Sequence, residues 1–517
     1  MNAIFVTQAL GLKLHHQLMR ALAEPLRLRQ VGFYLSDSMF FRGFLRQNPT
    51  FASAGFHLLK EWEIMAAARA VAVDPGYLRK IETELNGGPL WEALVCDRRI
   101  MQGRWCKERQ DYRPRFSHDR LLGILQAGLQ GIERLFEQVQ PDVVFSLVPV
   151  TFGEYLASMV ARAKGVPALY LYPTKIRNYM AWMSSFFGKP DHIVTAFREY
   201  EQTGRRDRWV EEAERYLASV GDGEVRHEGM IPIPGRIKAA RPGRPLLGRL
   251  ASLLTGELEY RFTDSRDDNH VTDPVLTFLH RRLLFRIRAR VVNARLGPRY
   301  VRPDHLDRMD FAFYPLHAEP EVALAIHGRP YQNQIETVRN LARSLPVGMK
   351  LVVKEHPRCI GYRPFGYYEK LLRIPNVELA DPFTESRVIV RRARLVAAVW
   401  SFVGFEGVIQ KKPVVLLGTP PFCILPDSMV RWVGDLSRLH AEIADVLRRY
   451  EYRERSVAHY VAANMKGAVP MDFYARFLEK RGRYADASAE AGGGEFAAFV
   501  DYTLTRVREV CRGAERG

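Results

Sequence analysis

The chain has 517 residues, of which 47% are apolar and 11% aromatic, and it carries a formal net charge of +18. This length exceeds what one hydrophobic core usually covers, and the composition excludes a mainly disordered or collagen-like protein, so two folded domains are expected. The charge predicts an anionic partner, but zinc-finger spacing and an RNA-recognition signature are both absent, which argues against nucleic acid.

The first residues give no sign of export. Asn2–Gln8 has no basic region and only a short apolar run, unlike a signal peptide. The longest apolar windows, 143–163 and 395–409, contain Glu154 and Glu406 and fall short of a membrane span of about 20 residues. Five cysteines without a CxxC pair are typical of a reducing compartment. The sequence therefore predicts a cytoplasmic protein.

An alternation of strands and helices opens the chain. The pattern predicts a strand at 3–7, a helix at 10–22 and a strand at 31–35, and then a mostly helical stretch over 40–111. The later elements are an amphipathic helix at 119–138, a strand at 141–146, a helix at 152–164 that Gly165 ends, and a strand at 167–172. Such alternation favours a parallel sheet. We therefore predict a Rossmann-like, acceptor-side domain over residues 1–200.

Residues 201–305 break this alternation and are predicted to form a helical, basic insertion. Within it, residues 236–302 contain fifteen Arg and Lys against six Asp and Glu, a net charge of +9. The run Arg281–Arg290 interleaves basic and apolar side chains at helical spacing. Three interpretations stay open, namely a solvated helix face, an anionic membrane surface and a site for an acidic acceptor.

The alternation resumes in the second half of the chain. Strands are predicted at 311–316, 349–353, 377–379, 395–399 and 413–417, with helices at 332–345, 364–372, 387–393 and 403–409 between them. We predict a second Rossmann-like domain over residues 306–450, which binds a nucleotide sugar, and C-terminal helices with a tail over 451–517. The fold class is therefore α/β with two Rossmann-like domains, in the manner of the GT-B architecture.

Three of these strands end in polar residues, and parallel strands bring their carboxyl ends to one edge of the sheet. After the strand that ends at Trp400, a turn holds Ser401 and Gly404, and Glu406 follows in the next helix. A helix amino terminus suits a phosphate, with the Ser401 hydroxyl as a further donor and Glu406 as an acceptor from ribose hydroxyls. The alternative is that Ser401 only caps the helix and Glu406 only compensates its dipole.

The strand predicted at 349–353 ends in Lys354-Glu355-His356-Pro357. Proline stops the strand and fixes the backbone after the histidine. An imidazole beside Lys354 can hydrogen-bond or protonate a departing phosphate near neutral pH. His356 is therefore a candidate catalytic residue, and both His356 and Lys354 are candidate ligands of the nucleotide sugar.

The loop His317-Ala318-Glu319-Pro320-Glu321 follows a third strand. A carboxylate there can activate an acceptor hydroxyl or stabilise an oxocarbenium-like centre, so Glu321 is the first candidate for general base or acid and Glu319 the second. His317 and Gln334 complete the predicted nucleotide-sugar ligands, although Gln334 is also a good residue for a helix start.

Several of these motifs resemble one bacterial family. They are Tyr314 to Glu321, Tyr331 to Gln334, Lys354 to Pro357, Ile374 to Val377, Ser401 to Glu406, and Lys412-Pro413-Val414. Together they are similar to the capsule polysaccharide biosynthesis family, which includes Kdo transferases. The resemblance is close over 309–418, weaker over 142–174 and minimal in the basic middle. Phe402, Phe405 and Gly407 depart from the family pattern, as does Glu319, where an uncharged amide is expected.

The resemblance implies a GT-B fold and a CMP-activated sugar donor, with His356 at the donor phosphate and Ser401 and Glu406 at the nucleotide. It predicts a glycosyltransferase that acts on a surface or capsular polysaccharide or its lipid-linked acceptor. No Asp-x-Asp motif is present, so neither a metal nor another cofactor is expected. Two alternatives remain open, namely an isomerase similar to UDP-sugar 2-epimerases and a non-catalytic subunit of a polysaccharide synthesis or export complex.

Overall fold

The computed structural model describes residues 1–9, 11–85, 88–101, 114–222, 246–263, 268–318, 321, 323–471 and 494–514. Two seven-stranded sheets organise these residues. The first has the order β14-β6-β5-β4-β1-β2-β3 and the second the order β13-β12-β11-β8-β9-β10-β7. The strands are β1 Ala3–Thr7, β2 Val31–Leu35, β3 His57–Lys60, β4 Val143–Leu147, β5 Ala168–Pro173, β6 Tyr179–Met183, β7 Tyr300–Val301, β8 Phe311–Pro315, β9 Lys350–Lys354, β10 Val377–Ala380, β11 Leu395–Ala398, β12 Val414–Leu416, β13 Val430–Trp432 and β14 Val469–Pro470.

Helices cover both sheets. They are α1 Gly11–Ala23, α2 Ser38–Gln47, α3 Glu61–Ala67, α4 Pro75–Leu85, α5 Trp91–Cys96, α6 Arg98–Met101, α7 His118–Val139, α8 Phe152–Ala163, α9 Asp191–Thr203, α10 Arg208–Asp222, α11 Leu246–Phe262, α12 Pro274–Leu279, α13 Phe285–Leu296, α14 Pro303–Leu306, α15 Gln334–Ser344, α16 Phe365–Leu372, α17 Ser386–Arg392, α18 Val403–Ile409, α19 Leu439–Arg449 and α20 Glu454–Gly467, followed by a C-terminal helix Gly494–Ala514.

Each sheet is buried on both faces, which explains why its strands are continuously apolar. In β1, Phe5 faces a core with α1 and the C-terminal helix, whereas Ile4 and Val6 face a core with α7 and α8. In the second sheet, β8 likewise divides its side chains between two cores. The predicted α/β class with two Rossmann-like sheets is confirmed.

The second sheet is parallel throughout, and its predicted elements agree with the structure to within two residues. The first sheet differs from the simple alternation at one edge, because β6 pairs antiparallel with β5 and β14 pairs antiparallel with β6. The stretch predicted as mostly helical over 40–111 contains β3, which extends the sheet beside β2. Four residues, His-Leu-Leu-Lys, are too few for a period of two to stand out from the helices around them.

The C-terminal part of the chain returns to the first domain. After α19 and α20, β14 joins the first sheet, and the C-terminal helix packs on α1. Trp182 of β6 donates through Nε1 to the hydroxyl of Thr503 in that helix at 2.8 Å. The two domains are therefore joined twice by the chain. Within the described ranges, no helix is both long and apolar enough to cross a membrane.

Candidate functional site

Three neighbouring strands of the second sheet end at one edge. The order β11-β8-β9 brings together His317 after β8, the Lys354 to His356 segment after β9, and Trp400 with Ser401 after β11. The Leu316 N–H donates to the Lys354 carbonyl at 2.9 Å, and the Trp400 N–H donates to Nε2 of His317 at 3.4 Å. The structure thus places the residues predicted from the three strand ends next to one another.

His317 is buried at the centre of this edge. Gln334 holds its backbone from both sides, since its Oε1 accepts from the His317 N–H at 2.7 Å and its Nε2 donates to the His317 carbonyl at 3.1 Å. Burial, with help from the positive Arg363 and from His356, lowers the pKa of His317 to about 4. The imidazole is therefore neutral at pH 7, and the amide of Gln334 acts in this conformation to position the His317 loop.

A buried ion pair fixes the turn that carries His356. Glu355 pairs with Arg363, and the same carboxylate oxygen, Oε2, accepts from the Tyr368 hydroxyl at 2.9 Å. Its other oxygen accepts from the His356 N–H at 2.6 Å, and Arg363 also donates to the His317 carbonyl at 2.7 Å. Sequence reasoning missed Arg363, although a buried glutamate directly after a strand requires a cation nearby.

Lys354 and Glu406 bring two further opposite charges into the interior of the site. Both side chains are buried, at 6% and 9% exposure. Burial lowers the pKa of Lys354 to about 8, and the carboxylates of Glu406 and Glu355 oppose that shift. In this conformation Glu406 compensates the charge of Lys354, and its predicted contact with a ribose stays a prediction.

The first N–H groups of α18 are partly hydrogen-bonded within the turn that begins the helix. The Ser401 hydroxyl accepts from the Val403 N–H at 3.2 Å, and the Ser401 carbonyl accepts from the Gly404 N–H at 3.1 Å. A Cβ atom on Gly404 would lie 2.8 Å from the Phe422 ring, so packing requires a small residue there. The Ser401 hydroxyl therefore engages the first N–H of this short helix from the turn before it, while Phe402 occupies the N-cap position. Phosphate binding by Ser401 and Gly404 stays a prediction.

The segment after His317 connects the two domains. Glu319 lies outside the described residues, whereas Glu321 is exposed, and its carbonyl accepts from the Leu324 and Ala325 N–H groups at 3.1 and 2.9 Å. A π-helical turn, Ala323–His327, follows. The His327 ring stacks on Trp400 with centroids 3.9 Å apart and planes at 9°.

Arg329 then reaches the first domain. It pairs with Glu92 at 2.7 Å and donates to the Tyr155 hydroxyl at 2.6 Å. Its guanidinium also lies 5.0 Å from the centroid of the Tyr155 ring and 5.4 Å from that of Phe187. The candidate carboxylate Glu321 therefore lies just before a segment, 323–329, that contacts the first domain.

A polar cluster also lies at the corresponding edge of the first sheet, where sequence reasoning found little chemistry. Glu61, which follows β3, accepts from the Tyr34 hydroxyl and from Nε2 of His270, the latter at 2.9 Å. Arg99 donates to the other ring nitrogen of His270. Burial raises the pKa of Glu61 to about 8. Because β3 was missed, the placement of Glu61 at a strand end was missed with it.

Among the described residues, Glu61, Asp97 and His270 each bring one atom that can bind a metal to within 4.8 Å of the others. These atoms already have protein partners, because Asn269 donates to Asp97 at 3.0 Å and Tyr34 and Arg99 engage the other two. The guanidinium of Arg99 also places a positive charge beside them. These three residues are therefore better described as a hydrogen-bonded cluster than as a metal site. That the reaction needs no metal stays a prediction.

Comparison with known proteins agrees with the resemblance seen in the motifs. Residues 281–425 match the model of the family described as capsule polysaccharide biosynthesis protein. The match spans the end of the insertion and most of the second domain, including all three strand ends. No curated protein matches the chain in sequence at a significant level.

Solved structures similar to the chain include a Thermosulfurimonas dismutans KpsC, a β-Kdo 2,7-transferase, with 14% identity, 65% of this chain and 80% of that chain covered, and a TM-score of 0.32. A UDP-GlcNAc 2-epimerase from Neisseria meningitidis, bound to UDP-GlcNAc, has 12% identity, 90% and 98% coverage, and a TM-score of 0.27. The spinosyn rhamnosyltransferase SpnG, complexed with thymidine diphosphate, has 12% identity, 93% and 100% coverage, and a TM-score of 0.27. At these values the likenesses carry no argument about the reaction, which has to come from the site residues.

Proposed function

We propose that the protein is a glycosyltransferase that transfers a sugar from a nucleotide-sugar donor, CMP-activated and Kdo-like, to a surface or capsular polysaccharide or to its lipid-linked acceptor. The observation that carries the proposal is the convergence of Lys354, His356 and Ser401 at one sheet edge, within the segment that matches the capsule family. We place the reaction in the cytoplasm, at the inner face of the membrane.

Cationic and hydroxyl groups at this edge suit the anionic part of a donor. Lys354 supplies a positive charge near the strand end, and His356 can donate a hydrogen bond or a proton to the departing phosphate. Glu355 and Arg363 hold the His356 turn rigidly, which places the imidazole at little entropic cost on binding. Ser401 adds a hydroxyl beside them.

A carboxylate on the segment that faces the first domain can activate the acceptor. Glu321 is exposed, and Arg329 holds the same segment against Glu92 and Tyr155 of the first domain. An acceptor that enters between the domains would therefore approach Glu321 and the donor site together. Glu321 remains the first candidate for general base and Glu319 the second.

Transfer assays test these roles. Wild type and the variants His356→Ala and Glu321→Ala are supplied with CMP- and UDP-sugars and an oligosaccharide acceptor. We expect kcat to fall by about 10² to 10⁴ in each variant, as for loss of a general acid or base. The exposed His305→Ala and Glu336→Gln variants serve as matched controls. Unchanged turnover in His356→Ala contradicts its role, and conversion of a UDP-sugar without acceptor identifies an epimerase instead.

A nucleotide screen tests the donor class. A ligand present at about 100 times its Kd stabilises the folded state by roughly 2.7 kcal/mol. We expect CMP or CDP to raise Tm and UDP to leave it unchanged. If no nucleotide raises Tm, a non-catalytic subunit becomes the better interpretation.

A further inference from the structure

The basic insertion presents an unusual amount of apolar surface. Of the seventeen large apolar side chains that are exposed among the described residues, eleven lie between Leu254 and Val291. Scattered exposed apolar residues are normal, but a contiguous group of them indicates a binding surface. The segment that carries them consists of α11 and the long helix 274–296, which we call the insertion hairpin.

The exposed residues follow helical spacing on both arms. In α11, Leu254, Leu258 and Phe262 are four residues apart and are 63%, 55% and 80% exposed. The second arm runs without a break through α12, a π-helical segment and α13. Its exposed stripe is Leu276, Leu279, Leu283, Ile287 and Val291. Residues spaced by three or four lie along one side of a helix, so each arm carries an apolar stripe.

The two arms are held together and fixed to the body of the protein. The Val275 N–H donates to Glu257 of α11 at 3.4 Å, and Glu259 pairs with Arg42 of α2 at 2.8 Å. Just before the second arm, Asp268 accepts from the Ser38 N–H at 2.5 Å. In α11 these contacts flank the apolar stripe, whose side chains stay exposed.

The far end of the second arm is fastened to the second domain. Val292 and Leu296 are buried in its core. Arg288 donates to the Tyr362 carbonyl at 3.1 Å, and the Phe285 ring lies 4.9 Å from the Tyr362 ring. Tyr362 belongs to the loop that follows His356, so the hairpin rests on the segment that carries the donor site.

The charge around the stripes indicates what covers them. Residues 274–302 contain eight arginines and no acidic residue, and Arg286, Arg290 and Arg295 are exposed. The dense positive charge of the second arm would repel a second copy of the same surface. Apolar side chains that enter the acyl region, with arginines at the headgroup level, are the pattern of an interfacial helix on an anionic bilayer.

We propose that the insertion hairpin is a membrane-docking element that inserts its two apolar stripes into the surface of an anionic bilayer. Docked in this way, it would hold the His356 loop, through Tyr362, close to the membrane, where a lipid-linked acceptor resides. The bilayer contact itself does not depend on sugar transfer, and only its benefit to the reaction rests on the proposed function.

Vesicle co-sedimentation of the full chain tests the proposal. We expect wild type to bind vesicles of equal parts phosphatidylglycerol and phosphatidylcholine and to bind pure phosphatidylcholine vesicles at least tenfold more weakly. The variant Arg286→Gln/Arg290→Gln should lose about 30-fold in affinity, since each basic residue near an anionic surface contributes about 1 kcal/mol. The variant Leu283→Gln/Ile287→Gln should lose tenfold or more.

Matched controls remove equivalent groups elsewhere. Val347→Gln replaces a fully exposed apolar residue outside the hairpin, and Arg448→Gln/Arg449→Gln removes two exposed arginines from α19. Both should bind vesicles as wild type does. Far-UV circular dichroism shows whether each variant is folded. Transfer to a water-soluble acceptor shows whether a variant that no longer binds vesicles keeps the proposed activity, so failure of docking can be told from failure of that activity. Equal vesicle binding by wild type and both hairpin variants, or a dimer that the Leu283→Gln/Ile287→Gln variant dissociates, overturns the proposal.

Discussion

Lys354 shows how one residue connects the packing of the second sheet with the chemistry of the site. Its side chain is buried at the end of β9, where the charges of the Glu406 and Glu355 carboxylates favour the protonated form. A buried lysine without these partners would lose its proton. With them it keeps a charge that can attract an anionic donor, but its pKa is about 8 instead of the usual 10.5.

This pKa predicts how donor binding depends on pH. The ammonium is charged below about pH 8 and loses its proton above it, and the phosphate of CMP is fully ionised above about pH 7. The affinity for CMP should therefore be level between about pH 7 and pH 7.5 and should fall by up to tenfold per unit beyond pH 8. The variant Lys354→Met should bind CMP more weakly at pH 7 and should show little change up to pH 9.5. Isothermal titration across this range measures both.

The exposed Lys370→Met variant is the control and should bind as wild type does. A wild-type affinity that stays level to pH 10 contradicts the role given to Lys354. An unchanged affinity of Lys354→Met at pH 7 would do so as well.

At the scale of elements, Gly361 decides how the insertion meets the donor site. Its φ is +93°, and a Cβ atom there would lie 3.0 Å from the backbone nitrogen of Ala289 and 3.1 Å from the carbonyl of Phe285. Both atoms belong to the backbone of α13, so neither can yield as a flexible side chain would. The backbone conformation and the close approach therefore both require glycine.

We predict that Gly361→Ala loosens α13 from the His356 loop. Strain at a positive φ costs on the order of 1 kcal/mol, and a contact of Cβ with helix backbone adds to it, so the free energy of unfolding should fall by about 2 to 3 kcal/mol. Urea unfolding measures the change, and limited proteolysis should show faster cleavage within 281–302.

Gly366→Ala provides the contrast, because this glycine lies in α16 with no atom within 4 Å of a Cβ position. Alanine there should stabilise the protein by about 0.5 to 1 kcal/mol through its helix propensity. An equal response of the two variants would show that Gly361 is not a point of close packing.

At the scale of the whole molecule, buried carboxyl groups in the first domain make stability depend on pH. Burial raises the pKa of Glu61 and of Glu154 to about 8, and for Glu154 the charge of Glu61 raises it further. Both groups lie where β2, α3, α8 and the insertion meet. Their usual pKa of 4.5 applies in the unfolded chain.

A pKa that is higher in the folded state gives stabilisation that is complete below about pH 4.5 and is lost as the pH rises to about 8. We therefore predict that these two groups lower the free energy of unfolding between pH 5 and pH 8, by up to about 1.4 kcal/mol per pH unit for each group. Glu154→Gln keeps the capping box with Thr151 and should make this slope shallower. Urea unfolding at several pH values measures it.

The control is Glu63→Gln, because Glu63 is an exposed glutamate two residues from Glu61. It should leave the slope as in wild type. A slope that is the same in Glu154→Gln and in wild type would show that Glu154 is ionised in the folded protein throughout this range.

The sequence by itself determined the elements that local pattern controls. Buried parallel strands are continuously apolar and the helices between them are periodic, so β1, β2, β4, β5 and every strand of the second sheet from β8 to β12 could be predicted. Parallel strands bring their carboxyl ends to one edge of the sheet, so the meeting of His317, His356 and Ser401 at that edge could also be predicted. The basic character of the insertion was equally visible in its composition.

Only the tertiary structure decided which polar side chains are engaged with one another. How loops fold over the sheet edge decides the Glu355–Arg363 ion pair, the attraction between the charges of Lys354 and Glu406, and the contact of the Gln334 amide with the backbone of His317. The cluster around Glu61 joins residues more than two hundred positions apart, Glu61 and His270. No local pattern encodes such contacts, because they arise from the packing of segments that the sequence separates. For the same reason, the apolar stripes of the insertion could be recognised as surface only once the rest of the chain had folded around them.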